Sequence, residues 1–397
     1  MQNTPKSSRL HIALLGRVNS GKSSFLNLLI GQNVSITSDM KGTTTDVVEK
    51  VQELSPLGPV VWLDTAGFDD DSTLGLKRIE KTMKALERAD VIVLVCEGAK
   101  IGTVEEKIIS DAAERNLPLI KVYNKKDLFL TKDDGLSVNS INLSSRDDVL
   151  NEFKAKLIEA APEGFFEQPK LLGDLAFKKS TVILVTPIDL GAPKGRMILP
   201  QVHALRDCLD SDQLVYTVKE TEYSDALNNL KTRPALVVCD SQVVERVASE
   251  TPKEIPLTTF SILFARLKGD IDKFIDGAKQ IKKLKDGDKV LISEACTHHA
   301  STDDIGKVKI PKWLKEYTGK NLEIHHSAGH DFPNNLEEYK LVIHCGGCMF
   351  NRREILSRLN VCEKKNVPIT NYGVAISEMK GILPRVIEPL RKRKSHA

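Results

Sequence analysis

The chain has no apolar run approaching the length of a membrane span, and this excludes a spanning helix. Its first residues, MQNTPKSSRLHIALLGR, lack the apolar core of a secretory leader, so the expected setting is the cytoplasm. Charge of one sign is also missing. Lys and Arg number 57 against 54 Asp and Glu, and a formal +3 is too small to argue for a nucleic-acid partner. The basic ending RKRKSHA reads as a solvated tail. Cysteine is sparse, with seven residues, and an odd set in a cytoplasmic chain does not suggest a disulfide framework; it leaves thiols for metal binding. Long-period repeats and low-complexity tracts are absent. What is present is 397 residues, 41% hydrophobic and 28% charged: a globular composition, long enough for two or three domains.

Short apolar runs alternate with amphipathic stretches throughout. From Leu10 to about Phe166 the runs are LHIALLG, VVWLDTAG, ADVIVLVCE and LPLIKVYNKKD. Runs this short and apolar fit strands covered on both faces of a parallel sheet. A linker, APEGFFEQPKLLGD, precedes a second set: TVILVTPI, QLVYTVKE, PALVVCD and PLTTFS. After the Lys-rich helical stretch ILFARLKGDIDKFIDGAKQIKKLKDGD come KVLISEACTHH, NLEIHHSAGH, YKLVIHCGGC and VPITNYGVA. The expected class is α/β, with three consecutive α/β domains over 1–167, 172–258 and 259–397, the first a doubly wound P-loop domain. In the last set most runs end in Cys- or His-bearing residues. Because open parallel sheets collect ligands at the carboxyl ends of their strands, these endings should share a crevice.

GRVNSGKSS follows a strand and opens a helix, the context that gives a GxxxxGKS pattern meaning. Gly16 and Gly21 let backbone amides curl around phosphates, Lys22 neutralises β and γ oxygens, and Ser23 offers its hydroxyl to Mg2+. Asn19, Ser20 and Ser24 complete the cofactor-binding loop. Asp64 and Gly67 of DTAG are expected at the magnesium shell and the γ-phosphate. Asn124, Lys125 and Asp127 of NKKD are expected at the base. A carboxylate at Asp127 can accept from the ring N–H and exocyclic amine of guanine, a pair adenine lacks, so the nucleotide is GTP. In KGTTTD, Thr44 is the expected switch threonine on magnesium, with Thr43 and Thr45 as competitors. Phe68 stands where many GTPases carry the glutamine that orients water, which predicts slow intrinsic hydrolysis.

Towards the other end, Cys296 and His298 form a CxH and Cys345 and Cys348 a CxxC preceded by His344. Three thiolates from two strand ends are enough for zinc or for an iron–sulfur cluster. Gly346 and Gly347 can turn freely and aim backbone N–H groups at sulfur. In an extended strand Cys296 and His298 share a side while His344 and Cys345 point apart. That makes His298 the better fourth ligand, with His344 behind it. Cys96, Cys208, Cys239 and Cys362 lie in apolar contexts and read as small hydrophobes.

GRVNSGKSS, GTTTD, DTAG and NKKD together resemble the TrmE-Era family of GTPases, in which the glutamine position is likewise apolar. The resemblance implies a K+ ligand at Asn19, against a plain loop-capping asparagine. The base loop usually ending in SA appears here as INLSSR, so Asn142 to Ser144 carry no assignment. Over the whole chain, that front region, TPIDLGAPKGRMILPQ and CxH followed by HCxxC resemble the HydF family of [FeFe]-hydrogenase maturation GTPases. The resemblance implies a homodimer through the middle region and a [4Fe-4S] cluster on Cys296, Cys345 and Cys348. It implies a scaffold or carrier for a two-iron precursor, made with radical-SAM hydrogenase maturases and delivered to apo-[FeFe]-hydrogenase. A different class is a ribosome- or tRNA-associated TrmE-Era GTPase whose rear module closes a structural zinc with three cysteines and His298. The rear region lacks the basic, aromatic-studded stripe that reading wants.

Overall fold

The computed structural model describes residues 5–30, 48–55, 57–65, 67, 84–97, 101–124, 137–139, 146–161, 170–188, 197–295 and 304–394. The chain divides into two compact units, Met1–Gln168 and Pro169–Ala397.

The first unit carries β1 (Leu10–Gly16), β2 (Val48–Leu54), β3 (Gly58–Asp64), β4 (Val91–Glu97), β5 (Leu119–Asn124) and β6 (Ser137–Asn139). They pair in the order β2-β3-β1-β4-β5-β6, all parallel except the antiparallel β2 and β3. With a two-residue side-chain period, Leu10, Ile12 and Leu14 enter one core with Phe25, Trp62 and Phe153. Ala13 and Leu15 enter the opposite core with Val61, Leu63 and Ile92. Helices α1 (Lys22–Ile30), α2 (Thr103–Glu114) and α3 (Arg146–Ala160) belong to this unit. Strand β2, VEKVQEL, has no continuous apolar run because it is an edge strand, and only part of it is covered.

The second unit holds two four-stranded parallel sheets. One comprises β7 (Thr181–Val185), β8 (Leu214–Val218), β9 (Leu236–Cys239) and β10 (Leu257–Thr259) in the order β10-β9-β7-β8. The other comprises β11 (Lys289–Glu294), β12 (Glu323–Ala328), β13 (Leu341–His344) and β14 (Ile369–Asn371) in the order β12-β11-β13-β14. Around them run α4 (Leu199–Asp210), α5 (Tyr223–Asn228), α6 (Val244–Glu250), α7 (Phe260–Lys268), α8 (Ile271–Ala278), α9 (Ile310–Thr318), α10 (Arg352–Lys364), α11 (Tyr372–Met379) and α12 (Leu383–Lys394). One continuous core joins Ile183 and Val237 of the first sheet to Leu291 and Val342 of the second.

The Lys-rich stretch folds as two main helices, α7 and α8. Gly269 closes α7, and a Cβ there would stand 2.6 Å from Phe274 Cε2. Asp270 then starts α8, its carboxylate accepting from the amides of Asp272 (3.0 Å) and Lys273 (3.2 Å). Helix α7 serves two cores: Phe260, Leu263 and Phe264 pack with Val182 and Leu184, while Ile262 and Ala265 join the shared core.

Candidate functional site

The loop after β1 is shaped by close approach. A Cβ on Gly16 (φ 155°) would lie 2.5 Å from Val95 O, and one on Gly21 (φ 96°) 1.9 Å from Asn124 Nδ2. A Cβ on Gly67 would lie 2.7 Å from Val18 N and 2.9 Å from Lys22 Nζ, which draws the DTAG glycine against the same loop. Lys22 Nζ donates to the carbonyls of Gly16 (2.8 Å) and Arg17 (2.7 Å). Asn124 Nδ2 donates to Ser20 O (3.0 Å), so the end of β5 braces the loop at the end of β1. The buried Ser20 hydroxyl has no partner among the described residues. Asn19 is exposed in the left-handed region (φ 63°), and Ser23 and Ser24 are exposed on the first turn of α1. Glycines whose Cβ atoms would fill the cradle, a lysine held at its mouth and an orphaned hydroxyl fit a polyphosphate.

Two ion pairs flank this loop, and the motif reading did not contain them. Arg17 Nε donates to Glu105 Oε1 at 2.6 Å. Burial pushes the Glu105 carboxyl up, but bonding to Arg17 outweighs it and the net value is below the ordinary one. Lys50 Nζ lies 3.0 Å from Asp64 Oδ2, so a lysine of β2 already faces the carboxylate expected at magnesium.

In the second unit β11 and β13 pair side by side, Ser293 opposite His344, and the ladder continues with Cys345 N donating to Ser293 O at 2.8 Å. Between these strands the chain order reverses, where open sheets place ligands. Cys345 Sγ accepts amide hydrogens from Ala295 (3.1 Å) and Gly347 (3.4 Å). Ala295, whose amide meets this sulfur, precedes Cys296 in the sequence. Gly347 takes φ 62°, and a Cβ there would strike Ile355 Cδ1 at 2.6 Å. Lys268, 5% exposed, donates from Nζ to the carbonyls of Gly347 (2.9 Å), Cys348 (3.2 Å) and Phe350 (2.7 Å). Burial lowers its ammonium to about 8, with Cys348 and Cys345 opposing the fall. Cys345, with two amide donors on its sulfur and a buried cation nearby, suits thiolate–metal chemistry, while burial pushes the Cys348 thiol up.

His344 is turned into the protein. Arg358 Nη1 donates to its Nε2 at 3.0 Å, and because a guanidinium only donates, Nδ1 carries the proton and donates to Cys345 O at 2.7 Å. Burial and then Arg358 push its value down to about 3, keeping it neutral. With both nitrogens engaged, His344 as placed offers no lone pair to a metal. Arg358 also donates to Ser293 Oγ (2.9 Å) and Gly329 O (2.7 Å) and lies over the rings of Phe332 and Phe350. His330 Nδ1 bonds Glu354, and His325 bonds Tyr339 and Glu323. Cys96, Cys208, Cys239 and Cys362 are buried, and burial pushes the Cys208 and Cys362 thiols up to about 12. Thr44, Phe68, Lys125, Asp127, Cys296 and His298 lie outside the described residues.

Among the described residues no helix is long and apolar enough to cross a membrane. Residues 11–125 match the 50S ribosome-binding GTPase family. Among curated proteins, GTPase Der of Kosmotoga olearia is 28% identical over 194 residues, 47% of this chain and 41% of that protein. The tRNA modification GTPase MnmE of Chromobacterium violaceum is 35% identical over 168 residues, 40% and 37% of the two chains. The chain thus spans about two fifths of the length of these relatives. Among solved structures, the G domain of the Thermotoga maritima FeoB iron transporter gives a TM-score of 0.30 at 20% identity, covering 38% of this chain and 98% of that one. Aquifex aeolicus Era gives 0.25 at 18% identity, covering 82% and 94%. Behind the GTPase domain, residues 171–269 match the Hydrogen maturase F dimerization domain and residues 272–389 its tetramerization domain. Carrying both of these domains behind a P-loop GTPase domain, the chain belongs to the hydrogen maturase F family.

Proposed function

We propose that this chain is a cytoplasmic [FeFe]-hydrogenase maturation GTPase that carries a [4Fe-4S] cluster and acts as scaffold for the two-iron precursor. The observation that carries the reading is the Cys345 sulfur meeting the amide of Ala295, one residue before Cys296, within a segment that matches a hydrogen maturase F domain. Cys296, Cys345 and Cys348 would hold the cluster, with His298 preferred over the internally bonded His344 as a fourth ligand. When bound, the cluster supplies redox-active iron and one exchangeable position for the precursor.

The front domain, 1–167, would bind GTP and Mg2+. Gly16, Asn19, Ser20, Gly21, Lys22, Ser23 and Ser24 would receive the phosphates, Ser23, Thr44 and Asp64 the magnesium, Asn124, Lys125 and Asp127 the guanine. Lys22 would trade the carbonyls of Gly16 and Arg17 for phosphate oxygens, and Gly67 would donate its amide as the γ-phosphate is hydrolysed. With Phe68 in place of the orienting glutamine, positive charge such as K+ at Asn19 would raise turnover. Hydrolysis would time encounters with radical-SAM maturases and apo-hydrogenase. The region 172–258 would form a homodimer, a reading supported by edge strand β8, whose Leu214 and Tyr216 are exposed apolar side chains. The region 259–397 would carry the cluster.

The test is anaerobic purification with metal analysis and low-temperature EPR after dithionite. About four irons per chain with a reduced-cluster signal are expected. One zinc without iron after reconstitution overturns the carrier reading and favours an RNA-associated GTPase with a zinc-stapled module.

A further inference from the structure

Lys268 is buried at the last turn of α7, and its three N–H donors are all spent on carbonyls of one short segment, Gly347, Cys348 and Phe350. Among the hydrogen bonds of the described residues, no carboxylate shares its ammonium; the Phe264 ring lies 5.3 Å away. Burying an ammonium against neutral carbonyls alone is costly, so a negative group must compensate it. The negative groups that act on it are Cys348, Cys345 and then the buried Glu354. The helix holding it is fixed independently: its apolar face lies in two cores, Arg266 pairs with Asp174, and Ser261 O accepts from Asn371 Nδ2 at 3.1 Å.

We propose that Lys268 is the positioning residue of the thiolate loop, clamping Gly347 to Phe350 for cluster capture and supplying the buried positive charge that sets the cluster's potential. This rests on the cluster reading above. A cation fixed near thiolate-bound iron favours the reduced, more negative state, and its loss makes reduction harder. A surface lysine could do neither, because solvent would screen it and nothing would hold it in place.

The experiment uses the full-length chain and the variants Lys268→Met, which removes donors and charge, and Lys268→Gln, which keeps two N–H donors without charge. Hydrogen exchange of the iron-free proteins is followed over residues 346–350, then iron uptake and an EPR-monitored redox titration after reconstitution. Exchange in Lys268→Met should rise at least tenfold, with Lys268→Gln in between. Both variants should show a more negative potential by about a tenfold change in the one-electron equilibrium, about 59 mV. Unchanged exchange overturns the clamp; raised exchange with an unmoved potential overturns the charge role. If the parent chain takes up no iron, the cluster reading fails, while the exchange result still decides the clamp. Should Lys268→Met not fold, Lys268→Gln decides both arms.

Discussion

Asn124 Nδ2 donates to the carbonyl of Ser20 at 3.0 Å, a bond between residues 104 positions apart that ties the end of β5 to the glycine-rich loop after β1. Where these two segments receive the phosphates and the base, as proposed, the bond joins the two recognitions mechanically. Replacing Asn124 by Ala removes that brace as well as a contact expected at guanine. GTP affinity should fall on the order of tenfold to a hundredfold, the equivalent of one or two net hydrogen bonds of about 1 to 1.5 kcal/mol each. Fluorescent GTP titration checks it, and affinity within a factor of two of the parent counts against the brace.

The two chemistries should separate by mutation. Lys22→Ala leaves the carbonyls of Gly16 and Arg17 without their ammonium and should abolish GTP turnover with iron content intact. Cys345→Ser should lose iron and retain turnover. Phosphate release and iron analysis on the same preparations decide it.

Arg358 carries bonds to His344, Ser293 and Gly329 in a buried setting. Arg358→Met should leave the buried His344 Nε2 and the Gly329 carbonyl without their guanidinium donor and destabilise the second unit by about 3 kcal/mol. At roughly 2–4 °C per kcal/mol for a unit of this size, melting should fall by on the order of 10 °C. A drop under about 2 °C would show the network to be dispensable.

Stability in acid should depend on Glu105. Its folded value lies below the ordinary 4.5 because Arg17 outweighs burial, so ionisation favours folding. The contribution is full above pH 4.5 and is lost as the pH falls through the folded value. Glu105→Gln should therefore be less stable than the parent at pH 7, with the gap closing at lower pH. Melting curves from pH 3 to 7 test the sign; a gap that widens in acid contradicts it.

On edge strand β8, Tyr216→Lys adds a charge to a partly exposed apolar row. The variant should scatter light at half the mass of the parent oligomer, whether that is a dimer or higher. An unshifted mass puts the contact elsewhere.

Most strands were legible because parallel strands covered on both faces must be short, apolar and β-branched, as in TVILVTPI and VVWLDTAG. Strand β2 was not, since an edge strand can carry Glu49 and Lys50 without cost. The nucleotide motif was readable because its glycines and lysine are contiguous. Lys268 and Arg358 gave no such sign: each lies some 80 or 14 residues from the Gly347 or His344 it serves. In sequence Lys268 is one lysine in a Lys-rich run, and only burial distinguishes it from its solvated neighbours. Strand alternation puts the His344 side chain on the face opposite Cys345, but the Arg358 that holds it there leaves no mark in the local sequence.

Helix α7 lies in the core beneath β7 and β9 and in the core shared with β11 and β13, while the boundary between the two matched domains falls directly after it. A protein cut at that boundary would leave the second sheet without Ile262, Ala265 and Lys268, and the first with bare apolar surface. The two sheets are therefore one cooperative block in heat or denaturant, and calorimetry should record a single endotherm for 169–397 rather than two.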